Sequence, residues 1–163
     1  MTSRDARVER QRELLSAHPG FSLICLTVQP PGPVKRNGQS LVVAEAGVKA
    51  IRESFRVEFE ELRDLETGYE GFFMTALSPS EAKRIACHIE DTHPLGRLMD
   101  LDVIICCPAG NMPHPLGREE LGLEPRKCLL CDRPARECMR TRIHTTEELL
   151  EKYKEIVDLY LKS

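Results

Sequence analysis

The stretch His93-Pro94-Leu95-Gly96-Arg97-Leu98-Met99-Asp100-Leu101-Asp102-Val103-Ile104-Ile105 sets the reading of this chain. From Leu98 to Ile105 it is apolar except at Asp100 and Asp102, and its Val and Ile content predicts a strand bounded by Gly96 and Pro108. Residues i and i+2 of a strand project to one face, so the two carboxylates stand roughly 7 Å apart on the same side. Two like charges on a largely buried strand repel and are costly to desolvate, and a divalent cation relieves both costs. Mg²⁺ suits the pair, because it takes carboxylate oxygens and keeps positions open for substrate phosphates. Gly96 lets the backbone approach a ligand, and Arg97 can fork onto phosphate oxygens. An Asp-x-Asp of this kind also suits the solvent face of an edge strand with no metal at all. If the carboxylates only repel each other, replacing either with Asn leaves the metal-free protein as stable or slightly more so.

Upstream, Ser3 to Ala17 predicts a polar helix, with Arg4, Arg7 and Arg10 on roughly one face, which from sequence alone reads as solvated. Phe21 to Val28 is an apolar, β-prone run. The loop Gln29 to Gly38 holds Pro30, Pro31, Gly32 and Pro33 ahead of Lys35, a stiff mount for a phosphate-binding lysine or a plain connection. Leu41, Ala44, Val48, Ile51 and Phe55 repeat at helical spacing over Ser40 to Phe55. Arg56 to Leu65 reads as a charged edge strand, Thr67-Gly68 as a turn, and Gly71 to Leu77 as a further strand. Ser78-Pro79-Ser80-Glu81 starts a second helix with apolar points at Ala82, Ile85, Ala86 and Ile89. The order strand, helix, strand, strand, helix, strand is the α+β ferredoxin-like split βαββαβ pattern, a mostly antiparallel sheet with both helices on one face. In it the first and third strands are central, and the strand bearing Asp100 and Asp102 is an edge beside the first.

Downstream, Cys106 to Glu124 reads as loop or hairpin. Thr145-Thr146-Glu147-Glu148 opens a last helix whose stripe Leu149, Tyr153, Ile156 and Tyr160 docks on the rest. Between them Cys128, Cys131, Cys138 and His144 read C-x₂-C-x₆-C-x₅-H, a candidate structural Zn²⁺ set. If so, the four ligand atoms must converge on one centre. The alternative is that Cys128 and Cys131 are small buried residues and His144 caps a helix. Six basic residues against Asp132 and Glu137 give Arg126 to Arg142 a local charge of +4, so its arginines, Arg126 and Arg140 among them, are also candidate phosphate binders.

A chain of 163 residues, read as one domain over 1–163, can bury a core. It shows neither a spanning apolar run nor a signal-peptide pattern, so a cytoplasmic protein is expected, with seven cysteines as thiols or metal ligands. A net charge of −3 excludes a general polyanion binder, and no P-loop or G-x-G-x-x-G is present. A non-catalytic nucleic-acid or protein-interaction module built on the basic Cys/His knuckle is the competing class. Aromatic residues at 5% with no Trp argue against base stacking.

Several motifs together resemble one family, the apo-citrate lyase phosphoribosyl-dephospho-CoA transferases, or citrate lyase holo-acyl-carrier-protein synthases. They are Ser3-Arg4-Asp5-x-Arg7, Pro31-Gly32-Pro33-x-Lys35, His93-Pro94-Leu95-Gly96-Arg97-Leu98-x-Asp100-x-Asp102-Val103, and Pro125-Arg126-x-Cys128-Leu129-Leu130-Cys131 with Ala135, Cys138, Arg140 and His144. The resemblance implies a nucleotidyl-type transfer of the phosphoribosyl-dephospho-CoA group from its triphosphate donor to a serine of the citrate lyase acyl-carrier (gamma) subunit, with release of pyrophosphate. No nucleic-acid or membrane partner is implied. The residues fit that chemistry. Asp100 and Asp102 would hold Mg²⁺, while Gly96, Arg97, Lys35, Arg4 and Arg7 would hold the phosphates. His93 is the candidate general base, although Pro94 gives it a structural alternative as a turn residue.

Overall fold

The computed structural model describes residues 1–106 and 112–163. Helix α1 (Ser3–Ala17) starts at Thr2, whose side chain and that of Asp5 cap each other's backbone N–H. Strand β1 (Ser22–Val28) follows and is buried along its whole length. Helix α2 (Gly38–Ser54) is capped by the reciprocal pair Asn37 and Ser40. The hairpin β2 (Phe59–Leu65) and β3 (Gly68–Thr75) leads into α3 (Pro79–Thr92), with Ser78 as N-cap and proline in the first turn. A short 3₁₀ turn, Gly96–Leu98, precedes β4 (Asp100–Cys106). Then come β5 (Pro113–Pro115), a 3₁₀ turn at Arg118–Leu121, α4 (Ala135–Thr141) and α5 (Thr146–Lys162).

The sheet runs β2-β3-β1-β4-β5, antiparallel throughout. This is the expected split βαββαβ order with one strand added. On one face Ile24, Leu26, Val28, Phe73, Leu101 and Val103 pack against α2, α3 and α5, where Val43, Ile51, Ile89, Tyr153 and Val157 are buried. On the other face Leu23, Cys25, Phe72, Met74 and Ile104 pack against Leu14 of α1. Both faces of β1 are thus covered, which is why that strand is a continuous apolar run without polar alternation.

Three expectations need correction. The strand bearing Asp100 and Asp102 is not the outermost: β5 pairs with its second half, Ile104 to Cys106. Pro113 and Pro115 kept β5 out of the sequence reading, yet proline is tolerated on an edge. Residues 107–111, including the expected strand stop at Pro108, lie outside the described residues. The arginine face of α1 is not solvated. Arg7 and Arg10 face the sheet and bond Glu70 and Glu61. Finally, α4 was not anticipated, because its seven residues are too few to show a period.

The first half of β4 has no strand beside it on the outer side. There the N–H of Leu101 donates to Glu90 of α3 at 3.0 Å. Glu90 is 5% exposed and also accepts from Arg118 and Arg126, each at 2.8 Å. Arg126 reaches further, to Asp100 Oδ1 at 2.7 Å and to the carbonyls of Gly96, Arg97 and Met99. The 3₁₀ turn can lie this close to α3 only because residue 96 is glycine: a Cβ there would sit 2.3 Å from the Glu90 carbonyl oxygen. Removing one member of a buried ion pair strands the others. Glu90→Ala is therefore expected to cost about 3–5 kcal/mol of folding stability, measured by urea denaturation, and Glu90→Gln to cost less.

Candidate active site

The register puts Asp100 and Asp102 on the α1 face. Arg63, Glu70, Thr27 and Asp100 form one row across the sheet, and Glu61, Phe72, Cys25 and Asp102 form the next. Leu101 and Val103, between and beyond the carboxylates, point to the opposite core. The shared face read from the Asp-x-Asp spacing is what the backbone produces.

The carboxylates differ in environment. Asp100 is 55% exposed and paired with Arg126. Burial pushes the Asp102 carboxyl above the usual range and the charge of Asp100 adds to this, against smaller opposing pulls from Lys83 and Arg126. Across β1, Arg7 bonds one oxygen of Glu70, whose other oxygen, Oε1, is buried without a partner. Arg10 grips Glu61 with two bonds, of 2.7 and 3.1 Å. Beneath α1, the buried Cys25 thiol is pushed up to about 12, chiefly by burial, and is inert as a nucleophile at neutral pH.

Arg4 precedes Arg7 by one helical turn and is exposed, as is Arg97, just before β4. Lys35 lies in the loop that leaves β1 at the Asp100 end, and its Nζ donates to the Pro30 carbonyl at 2.7 Å. Arg126 has both terminal nitrogens committed within the protein. It positions Asp100 and the turn before it and has little left for a phosphate. Gly96 is buried, and its lack of a side chain serves the approach to α3. Arg140 is exposed on α4, in the Cys/His segment.

His93 is not brought to the carboxylates. It is the C-cap of α3; its Nδ1 accepts from the Leu95 N–H at 2.9 Å and its ring lies 5.9 Å from that of Tyr160 on α5. That is the far side of the sheet from Asp100 and Asp102. Burial lowers the pKa of His93, against a weaker pull from Glu53 of α2. The turn at Pro94 fixes this role.

Cys128, Cys131, Cys138 and His144 do converge, with ligand atoms all within 4.8 Å of one another. Cys131 Sγ and Cys138 Sγ are 3.4 Å apart, and His144 Nε2 is buried without a partner.

Glu70, Glu90 and Arg118 belong to none of the motifs that mark the site in the sequence. Two of them carried a signal. Glu70 alternates in phase with Phe72 and Met74, and Glu90 follows Ala82, Ala86 and Ile89 on the apolar stripe of α3. A carboxylate on an inward face needs a cation. Nothing in the local sequence marks Arg118 as that partner.

A family model described as apo-citrate lyase phosphoribosyl-dephospho-CoA transferase matches residues 1–160. A protein of Vibrio cholerae serotype O1 (strain M66-2) is 40% identical over 163 residues, covering 96% of this chain and 88% of its own length. One of Streptococcus pyogenes serotype M3 is 36% identical over 152 residues, covering 91% of this chain and 78% of its own length. Both are named "Probable apo-citrate lyase phosphoribosyl-dephospho-CoA transferase". The class is thus an enzyme of the transferase kind. More narrowly, the chain belongs to the apo-citrate lyase phosphoribosyl-dephospho-CoA transferase family. Among the described residues no helix is long and apolar enough to cross a membrane.

The unequal carboxylates modify the expectation that either can be replaced without loss. A carboxyl raised by folding costs stability where it is ionised and costs nothing once protonated in both the folded and unfolded chain. Asp102→Asn is expected to leave the metal-free protein as stable or slightly more stable at about pH 7, with the gain vanishing by about pH 3. Asp100→Asn loses the Arg126 pair and is expected to cost about 0–1 kcal/mol. Urea melts of both variants at the two pH values measure this.

Proposed function

We propose that this transferase attaches the phosphoribosyl-dephospho-CoA group to a serine hydroxyl of the citrate lyase acyl-carrier (gamma) subunit. The donor is the triphosphoribosyl form of dephospho-CoA, and pyrophosphate leaves. The observation that carries the reading is the carboxylate pair on the α1 face, with an exposed Arg97 three residues before Asp100 and an exposed Arg4 in the first turn of α1, in a chain of this family.

Attack on the α-phosphorus needs charge neutralised on the phosphates, an in-line hydroxyl and an acceptor for its proton. Asp100 and Asp102 share a face, and their mutual repulsion, with Arg126 bonded to Asp100 alone of the two, suits them to a divalent cation. Mg²⁺, when bound, supplies phosphate neutralisation and a more acidic hydroxyl. Arg97 and Arg4 bind the departing pyrophosphate, and Lys35 joins them by giving up its bond to Pro30. Arg126 holds Asp100 at the correct angle. Asp102 would hold the cation together with Asp100, and solvent water, in place of His93, takes the hydroxyl proton. The cytoplasm is the matching compartment for a chain in which none of the six cysteines of the described residues is paired in a disulfide.

The test is incubation of the protein with apo-carrier, triphosphate donor and Mg²⁺, read by intact mass. The carrier is expected to gain the mass of the prosthetic group and the solution to gain pyrophosphate. Asp102→Asn should slow transfer about a hundredfold or more. Arg97→Lys keeps the charge but loses the planar fork, so it should weaken the apparent donor affinity about tenfold with little change in melting temperature. Unmodified carrier with the wild-type protein would overturn the reaction. Unchanged donor affinity in Arg97→Lys would remove that residue from the phosphate site.

A further inference from the structure

We propose that Cys128, Cys131, Cys138 and His144 bind one Zn²⁺ ion, and that this ion holds Arg126 against Glu90 and Asp100. The inference is independent of the reaction proposed above.

The four ligand atoms lie within 4.8 Å of one another. In a tetrahedral site with Zn–S about 2.3 Å, ligands stand roughly 3.8 Å apart, so the widest pairs must close by about 1 Å or less while the Cys131–Cys138 pair, at 3.4 Å, opens slightly. The buried His144 Nε2 has no protein partner, and a lone pair so placed is costly unless something accepts it. A disulfide would use two of the sulfurs and leave the third with His144 unanswered. A closed set of four ligands with no open position is the structural type of zinc site.

The segment around the cluster is folded as a knuckle. Cys128 N–H donates to the Arg133 carbonyl and Ala135 N–H to the Arg126 carbonyl, both at 2.8 Å, and the Leu130 N–H points at Cys128 Sγ at 3.4 Å. Cys138 comes from α4, and His144 follows the left-handed turn at Arg142. Little apolar surface holds this segment together: Met139 and Ile143 are exposed, and Leu129 is its contribution to the main core. A segment without its own core needs a cross-link, and a metal is one.

The link to the carboxylates is short. Arg126 lies two residues before the first ligand, and its carbonyl is part of the knuckle's own hydrogen bonding. Its guanidinium supplies a bond each to Glu90 and Asp100. Fixing the knuckle fixes the arginine.

The test uses the full-length protein. Purified or zinc-reconstituted chain should hold about one zinc per molecule by elemental analysis. Cobalt replacing it should give the sulfur-to-metal charge-transfer band and strong visible absorption of a tetrahedral thiolate site. Cys131→Ser and Cys138→Ser should abolish that spectrum, while Cys106→Ser, an exposed cysteine outside the cluster, keeps it. Chelation of the wild-type protein should speed hydrogen exchange at the Leu101 amide, which Glu90 accepts. Sub-stoichiometric metal after reconstitution, a cobalt spectrum unchanged in both cluster variants, or a two-dalton loss marking a disulfide would overturn the site. Unchanged Leu101 exchange on chelation, with metal shown to leave, would overturn the coupling to Arg126.

Discussion

A single buried carboxylate, Glu90, joins parts of this protein that are far apart in sequence. It accepts from the backbone of β4, from Arg118 after β5 and from Arg126 ahead of the cysteine segment. Desolvating a carboxylate is expensive, and the two guanidinium groups and one amide offset that cost only where all three are in place. The 3₁₀ turn, the start of β4 and the stretch from Arg118 to Arg126 are tied to α3 by this contact set. Asp100 inherits its place from it, because the same Nη1 of Arg126 serves both carboxylates.

The α1 face of the sheet is divided. Toward the Leu23 row it is apolar and dry, with Leu14, Met74 and Ile104 in contact. Toward the Thr27 row it carries Arg63, Glu70 and Asp100, answered by Arg7 of α1. One helix therefore does two jobs along its length: its later turns seal a core and its first turns line the charged end. The first turn of α1 also lies at the sheet end from which the Lys35 loop departs, which gathers basic side chains from separate parts of the chain where carboxylates are held.

The fold was legible because its local signals agreed. The continuous apolar run of β1, the Ser78 cap with Pro79, and the charged β2 each indicated where they belong. The pairing of Asp100 with Asp102 on one face and the convergence of the cysteines with His144 followed from spacing alone. Adjacency across the sheet did not. His93 lies close in sequence to Asp100, but the turn between them carries the chain from the end of α3 into β4, whose carboxylates point to the other face of the sheet. Arg126 looked like a free phosphate binder because its partners, Glu90 and three carbonyls, are contributed by residues 27 to 36 positions away. Glycine at position 96 suggested an opening toward a ligand, whereas the space it leaves is filled by the last turn of α3.

The half-length β5 has a further consequence. A strand whose outer N–H and C=O groups are unpaired recruits strands from other molecules, and β4 is apolar enough to be a good template. Along Ile104 to Cys106 the short, proline-bounded β5 occupies that edge, and proline cannot extend a ladder. Along the first half, Glu90 takes the Leu101 amide before any foreign carbonyl can. The carboxylate that orders the site thus also occupies a backbone donor that an edge-to-edge contact would use. A lesion at Glu90 would then be felt as aggregation in a crowded cell, even where the remaining fold still forms.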